Sequence, residues 1–203
     1  MRFQETYKEL IAKKYYIFSF EDLCIFYPEE KRSNLRQYLS RWKKQEWIRS
    51  LRKGLYELTY PEGRSVSDFY IANKMYAPSY ISLETALSYY SIIPEVSMAV
   101  VSVTSKVTRR FKNLQGLFLY RSVRPKAFRG YIIEKHNGLD VLIAEPEKAL
   151  VDYLYFKTLR GGTFDKKAER IDQKRVEQLN KKKLESYAKI YQLNVKAALN
   201  QLV

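Results

Sequence analysis

Nine basic side chains fall within residues 31–53 (Lys31, Arg32, Arg36, Arg41, Lys43, Lys44, Arg49, Arg52 and Lys53) against one acid, Glu46. Ser33, Asn34, Gln37 and Ser40 are interleaved with them. Together these residue types suit one chemistry. Arg and Lys neutralise phosphates and release counterions, while Arg, Asn and Gln make paired hydrogen bonds to base edges in the major groove. The candidate DNA-contacting set is therefore Ser33, Asn34, Arg36, Gln37, Ser40, Arg41 and Lys44, with Arg52 and Lys53 beside the flanking backbone or minor groove. An ordinary solvated helix face would mix acids into such a run, and this one holds almost none.

A second group, Lys106, Arg109, Arg110 and Lys112, lies in an acid-free stretch, residues 104–129, that carries eight basic residues. Residues 104–113 read as a loop, so these four side chains form either an anion-attracting patch or a solvated loop that keeps a basic chain in solution.

Catalytic chemistry finds little support. His136 sits beside Asn137-Gly138 and reads as a solvated turn residue, and Cys24 reads as a small core residue. Glu145, Glu147 and Asp152 could be imagined as a metal-binding cluster, but helix capping and the helix dipole explain them better. Gly161-Gly162-Thr163 lacks the Lys and the spacing of a phosphate-binding loop. No catalytic, metal or cofactor site is expected. The aromatic residues, 18 Tyr, 10 Phe and 2 Trp, could stack bases, but most fall at core-facing periodic positions and read as packing.

The elements that must position the first group follow from periodicity. Residues 5–16 predict a helix, and Ser19-Phe20-Glu21-Asp22 starts a second by a capping box, running through Phe26 until Pro28 ends it. Ser33 is the expected cap of a third helix over residues 34–46, whose apolar positions Leu35, Tyr38, Leu39 and Trp42 follow i, i+3, i+4, i+7. At 100° per residue the polar set above lies on the opposite side. Residues 47–51 and 55–58 are strand-like and joined through Gly54, which supplies the positive φ of a tight turn. Three helices and a hairpin predict a winged helix-turn-helix over residues 1–62.

The turn-rich run over residues 60–65 marks a boundary, and residues 70–203 predict a second, α+β domain with a small antiparallel sheet and C-terminal helices. Expected helices cover 68–75, a segment capped by Ser82, and one opened by Glu145-Pro146-Glu147-Lys148. Strands are expected over 96–103 and 117–123, with a hairpin of 131–134 and 139–143 around Asn137-Gly138. Helices over 175–180, 182–191 and 194–202 close the chain, Asn194 capping the last.

Composition sets the class. Of 203 residues, 37 are Lys or Arg and 22 Asp or Glu, a formal charge of +15, with 46% hydrophobic residues for a packed core. That charge calls for a polyanionic partner, most often nucleic acid. One Cys and one His exclude an intrachain disulfide and a Cys/His zinc site. No run is long and apolar enough to span a membrane, and no apolar segment follows Arg2 and Lys8 as in a signal peptide, so a cytoplasmic location is expected.

The order winged helix, then Ala77-Pro78-Ser79-Tyr80-Ile81-Ser82-Leu83-Glu84-Thr85-Ala86-Leu87, an apolar strand ending in Thr104, and Ala144-Glu145-Pro146-Glu147-Lys148-Ala149-Leu150-Val151-Asp152 resembles the AbiEi antitoxins of type IV toxin–antitoxin systems. The resemblance spans residues 5–200. It implies a winged helix that binds inverted repeats in its own promoter as a repressor. It also implies a C-terminal domain that antagonises a cognate nucleotidyltransferase toxin without a stable complex. Helix 3 and the wing would then read operator DNA, and segments 78–87, 104–112 and 144–152 would belong to the antitoxin domain. The competing expectation is a basic adaptor that binds RNA or an acidic protein through the C-terminal domain.

Overall fold

The computed structural model describes residues 2–60, 66–94, 98–159, 162, 164–166, 168–191 and 193–202. The expected junction at 61–65, the start of the strand expected over 96–103, and Gly161 and Thr163 lie outside them. The fold is α+β and divides into two compact units, Met1–Ser67 with Asn113–Gln115, and Asp68–Lys112 with Gly116–Val203.

The first unit runs α1 (Phe3–Ala12), β1 (Ile17–Ser19), α2 (Phe20–Phe26), α3 (Arg32–Lys44), β2 (Ile48–Arg52) and β3 (Leu55–Leu58). Its antiparallel sheet has the order β1-β3-β2. The first helix is shorter than its periodicity predicts. The chain reverses at Lys14, in the left-handed region at φ 59°, where Tyr15 N donates to Leu10 O at 2.7 Å. Residues 17–19 are thereby released to pair with residues 55–57 as β1, a strand that three residues could not announce. The capping box is present: Ser19 Oγ accepts from Asp22 N at 3.0 Å, and Asp22 Oδ2 accepts from Ser19 N at 2.6 Å. Ser33 is not a cap. Lys31 occupies that position without a side-chain bond, because the helix already starts at Arg32 and places Ser33 inside its exposed first turn. Leu35, Leu39 and Trp42 are buried against Phe3, Leu10, Phe18, Leu23 and Ile48.

The second unit runs α4 (Asp68–Met75), β4 (Ser79–Ile81), α5 (Leu83–Tyr89), β5 (Ala99–Thr104), β6 (Arg109–Asn113), β7 (Gly116–Ser122), a short 3-10 turn (Pro125–Ala127), β8 (Tyr131–His136), β9 (Leu139–Ala144), α6 (Pro146–Thr158), α7 (Gln173–Glu177), α8 (Lys181–Ala188) and α9 (Leu193–Asn200). Its sheet is larger than the small antiparallel one expected. Six strands run in the order β6-β7-β5-β4-β9-β8, and the β5/β7 and β4/β9 pairs are parallel. Two strands invisible as such in the sequence, β4 and β6, extend it: β4 is too short to show alternation, and β6 is masked by its charges. Asn137 (φ 52°) and Gly138 (φ 78°) make the expected two-residue turn between β8 and β9. His136 is the last residue of β8 rather than a solvated turn residue. Its ring lies 5.1 Å from that of Phe69 and 5.5 Å from that of Tyr89. Asp172 and Asn180 cap α7 and α8 through their side chains, while Asn194 lies inside α9 rather than at its cap.

The acidic residues around α6 do not do what capping predicts. Glu147 Oε1 accepts from Asn180 N at 3.0 Å, and Glu145 accepts from Lys183 Nζ at 3.0 Å and Tyr187 OH at 2.7 Å, so both fasten α8. Asp152 is fully buried and pairs with the equally buried Lys148 one turn earlier. Tyr80 OH and Ser82 Oγ donate to its Oδ2 at 2.9 Å, and Tyr191 OH donates to its Oδ1 at 2.5 Å. Lys148 Nζ also donates to Tyr191 OH at 2.9 Å. Ser82 does occupy the N-cap position of α5, but its hydroxyl serves Asp152 and makes no cap bond. Burial pulls the Lys148 ammonium below the ordinary lysine value, with Asp152 opposing the shift. Burial, then the Asp152 charge, push the Tyr80 and Tyr191 hydroxyls upward.

Two outcomes follow for stability. Asp152→Asn should cost about 3–5 kcal/mol in denaturant unfolding, because it strands a buried cation, and the double change Lys148→Met/Asp152→Leu should recover little of that loss, because it leaves the Tyr80, Ser82 and Tyr191 hydroxyls without their acceptor. Gly54 holds φ 76° at the β2–β3 turn, with open space where a Cβ would project. Gly54→Ala should therefore lower stability by about 1 kcal/mol through backbone strain alone, and Gly54→Asn by less, as read by thermal melts.

Candidate nucleic-acid interface

The apolar stripe of α3 faces the core of the first unit, which leaves its other side to solvent. Ser33, Arg36, Gln37, Ser40, Arg41 and Lys44 are exposed there, as are Arg52 and Lys53 at the hairpin turn. Asn34 differs: it is half-buried, and its Nδ2 reaches back to Glu30 Oε2 at 3.4 Å.

Three arrangements order this surface. Gly54 O accepts from Phe20 N at 3.1 Å, which ties the wing turn to the start of α2. Arg52 NH1 donates to Lys53 O at 3.2 Å across the turn. The Phe20 ring lies beneath two guanidinium groups, with Arg32 at 4.8 Å and Arg36 at 5.0 Å from its centroid. Arg32 is held from its far side by a two-pronged pair with Glu21, at 2.6 and 3.1 Å. That pair is exposed and contributes little to stability. Its hydrogen bonds, first among the causes, hold the Glu21 carboxyl below its ordinary value.

Between α3 and the wing turn the surface is concave. A cleft of about 370 Å³ is lined by Phe20, Arg36, Ser40, Lys43, Lys53 and Tyr56, among others. Three cations converge there without an acid among the lining residues. Lys43 was absent from the candidate set, yet it follows Arg36 and Ser40 at i+7 and i+3, a single row along the helix that the spacing could have revealed. Nothing in the sequence marks Phe20, because its role depends on α2 crossing α3.

The second basic group is not on a loop. Arg109, Arg110 and Lys112 belong to β6, an edge strand whose alternation places Arg110 and Lys112 on one face and Arg109 with Phe111 on the other. Phe111 packs on Tyr76 and Tyr120, at 5.9 and 5.7 Å between ring centroids. Lys106 lies before the strand, where its Nζ donates to Ala77 O at 2.7 Å. All four cations are exposed, but the pleat divides them. Among the described residues no group of three His, Cys, Asp or Glu side chains is placed to hold a metal, and no helix is long and apolar enough to cross a membrane.

No family model matches the chain, and no curated protein matches it. Its fold is similar to that in the crystal structure of the Rv2827c protein from Mycobacterium tuberculosis. The likeness covers 96% of this chain and 73% of that one, with a TM-score of 0.65 and 13% sequence identity. At that identity it is a likeness of fold.

Proposed function

We propose that the chain is a sequence-specific binder of double-stranded DNA that represses its own promoter and also acts as an antitoxin against a cognate nucleotidyltransferase. One observation carries the DNA reading. The exposed side of α3 and the adjoining wing turn form an acid-poor cationic cleft, while the opposite side of the same helix is consumed by the core. Arg36, Lys43 and Lys53 would neutralise phosphates, and Arg36, Gln37 and Arg41 would reach base edges. Asn34 is the weakest member of that set, because its amide is already directed at Glu30. The antitoxin part rests on the resemblance of segments 78–87, 104–112 and 144–152 to AbiEi antitoxins.

Titration of duplex DNA from the gene's own upstream region, at several salt concentrations, tests the first part. That duplex should bind more tightly than random duplex and RNA, and Arg36→Ala should weaken the preference roughly tenfold or more. Equal affinity for RNA and random duplex would instead favour a basic adaptor. For the second part, co-expression with the neighbouring gene should restore growth, and removal of residues 65–203 should abolish the rescue. Rescue by residues 1–64 alone would refute the assignment.

A further inference from the structure

Two arginines of α3 share one aromatic ring and differ in what they leave free. Arg32 and Arg36 lie one helical turn apart, with guanidinium carbons 4.8 and 5.0 Å from the centroid of Phe20. Arg32 uses its donors within the chain: NH1 donates to Glu21 Oε2 at 3.1 Å and NH2 to Glu21 Oε1 at 2.6 Å. Arg36 has no hydrogen-bonding or ion-pair partner among the described residues, although it lines the cleft between α3 and the wing turn.

The distinction is chemical. A carboxylate holds a guanidinium by occupying its N–H groups. An aromatic face holds it through the ring quadrupole and leaves its donors open. Phe20 is itself fixed, because its N–H donates to Gly54 O and its side chain packs on the core of the first unit. Two cations on one ring would repel, and the Glu21 carboxylate offsets the charge of Arg32. Neighbouring cations are placed differently. Arg41 stands 6.0 Å from the Tyr38 ring, at the outer limit of such a contact, and does not line the cleft. Lys43 and Lys53 do line it, but as point charges without a planar fork.

We propose that Arg36 reads a guanine of the bound duplex through paired hydrogen bonds to its N7 and O6, and that Phe20 is the residue that positions it. The inference rests on the DNA reading above and adds to it the base and the positioning residue. Guanine is the base that offers two acceptors to a guanidinium fork in the major groove. A side chain already held on a ring loses less rotamer freedom when it makes that contact. Lys43 and Lys53 supply attraction that is indifferent to sequence. Removing the Phe20 ring would leave the charge of Arg36 in place and release its direction, so the loss falls on base discrimination rather than on phosphate neutralisation.

The test uses the full chain and duplex DNA from the gene's own upstream region. Each guanine of the bound segment is replaced in turn by 7-deazaguanine, which lacks the N7 acceptor. At one position the replacement should weaken binding by the unmodified chain about tenfold, and it should weaken binding by Arg36→Ala no further. For Phe20→Leu the same replacement should cost about threefold or less, and Phe20→Tyr, which keeps the ring, should restore the full penalty. The slope of affinity against salt should be the same for Phe20→Leu as for the unmodified chain, because the number of phosphate contacts is unchanged. A merely structural role for Phe20 would instead weaken every duplex alike and leave the guanine penalty intact. If the upstream duplex is preferred but no guanine replacement separates the unmodified chain from Arg36→Ala, or Phe20→Leu keeps the full penalty, the inference is overturned and the DNA reading stands. If that duplex is not preferred over random DNA, both fall together.

Discussion

Asp152 and Lys148 face each other in the interior of the second unit with neither side chain reaching water, and this constraint organises much of what surrounds them. Removing two charges from water costs several kcal/mol per ion, which their attraction offsets only when every remaining hydrogen-bonding position is filled. Here β4 supplies Tyr80, the residue before α5 supplies Ser82, and the segment after α8 supplies Tyr191. Each donor comes from a different element, so the pair can be satisfied only when the sheet, α5, α6 and the C-terminal helices are all in place. The stacking of Tyr191 on Tyr155, 4.3 Å between centroids, extends the same junction along α6.

The first unit manages its cations by the opposite route. Its basic side chains are kept in water on one side of α3, and the apolar stripe of that helix supplies the packing. Cohesion and surface chemistry are thereby separated along one helix, whose outward residues stay in water. Phe20 links the two roles. It begins α2 and packs against the core, and its ring also supports Arg36 at the mouth of the cleft.

Where the reading of the residues and the structure diverge, short or charged elements are the cause. β1 and β4 are three residues each, too short for a period of two to be distinguished from a helical turn. β6 carries Arg, Arg and Lys in five residues, which reads as a solvated loop until β7 supplies its partner. Among the candidate residues, the exposure of Arg36, Gln37, Arg41 and Lys44 could be read from the stripe opposite them. The inward turn of Asn34 could not, since it depends on where Glu30 lies.

The amino-acid order by itself determined the α+β class, the polar and apolar sides of α3, the capping box at Ser19 and the Asn137-Gly138 turn, because each is set by interactions within a few residues. Tertiary structure alone decided that Glu145 and Glu147 hold α8, that Asp152 is the centre of a buried network, and that Lys43 and Lys53 meet across one cleft. Those groups are distant in sequence, and their environment, whether water, a carboxylate or another element's hydroxyl, exists only once the chain has folded around them.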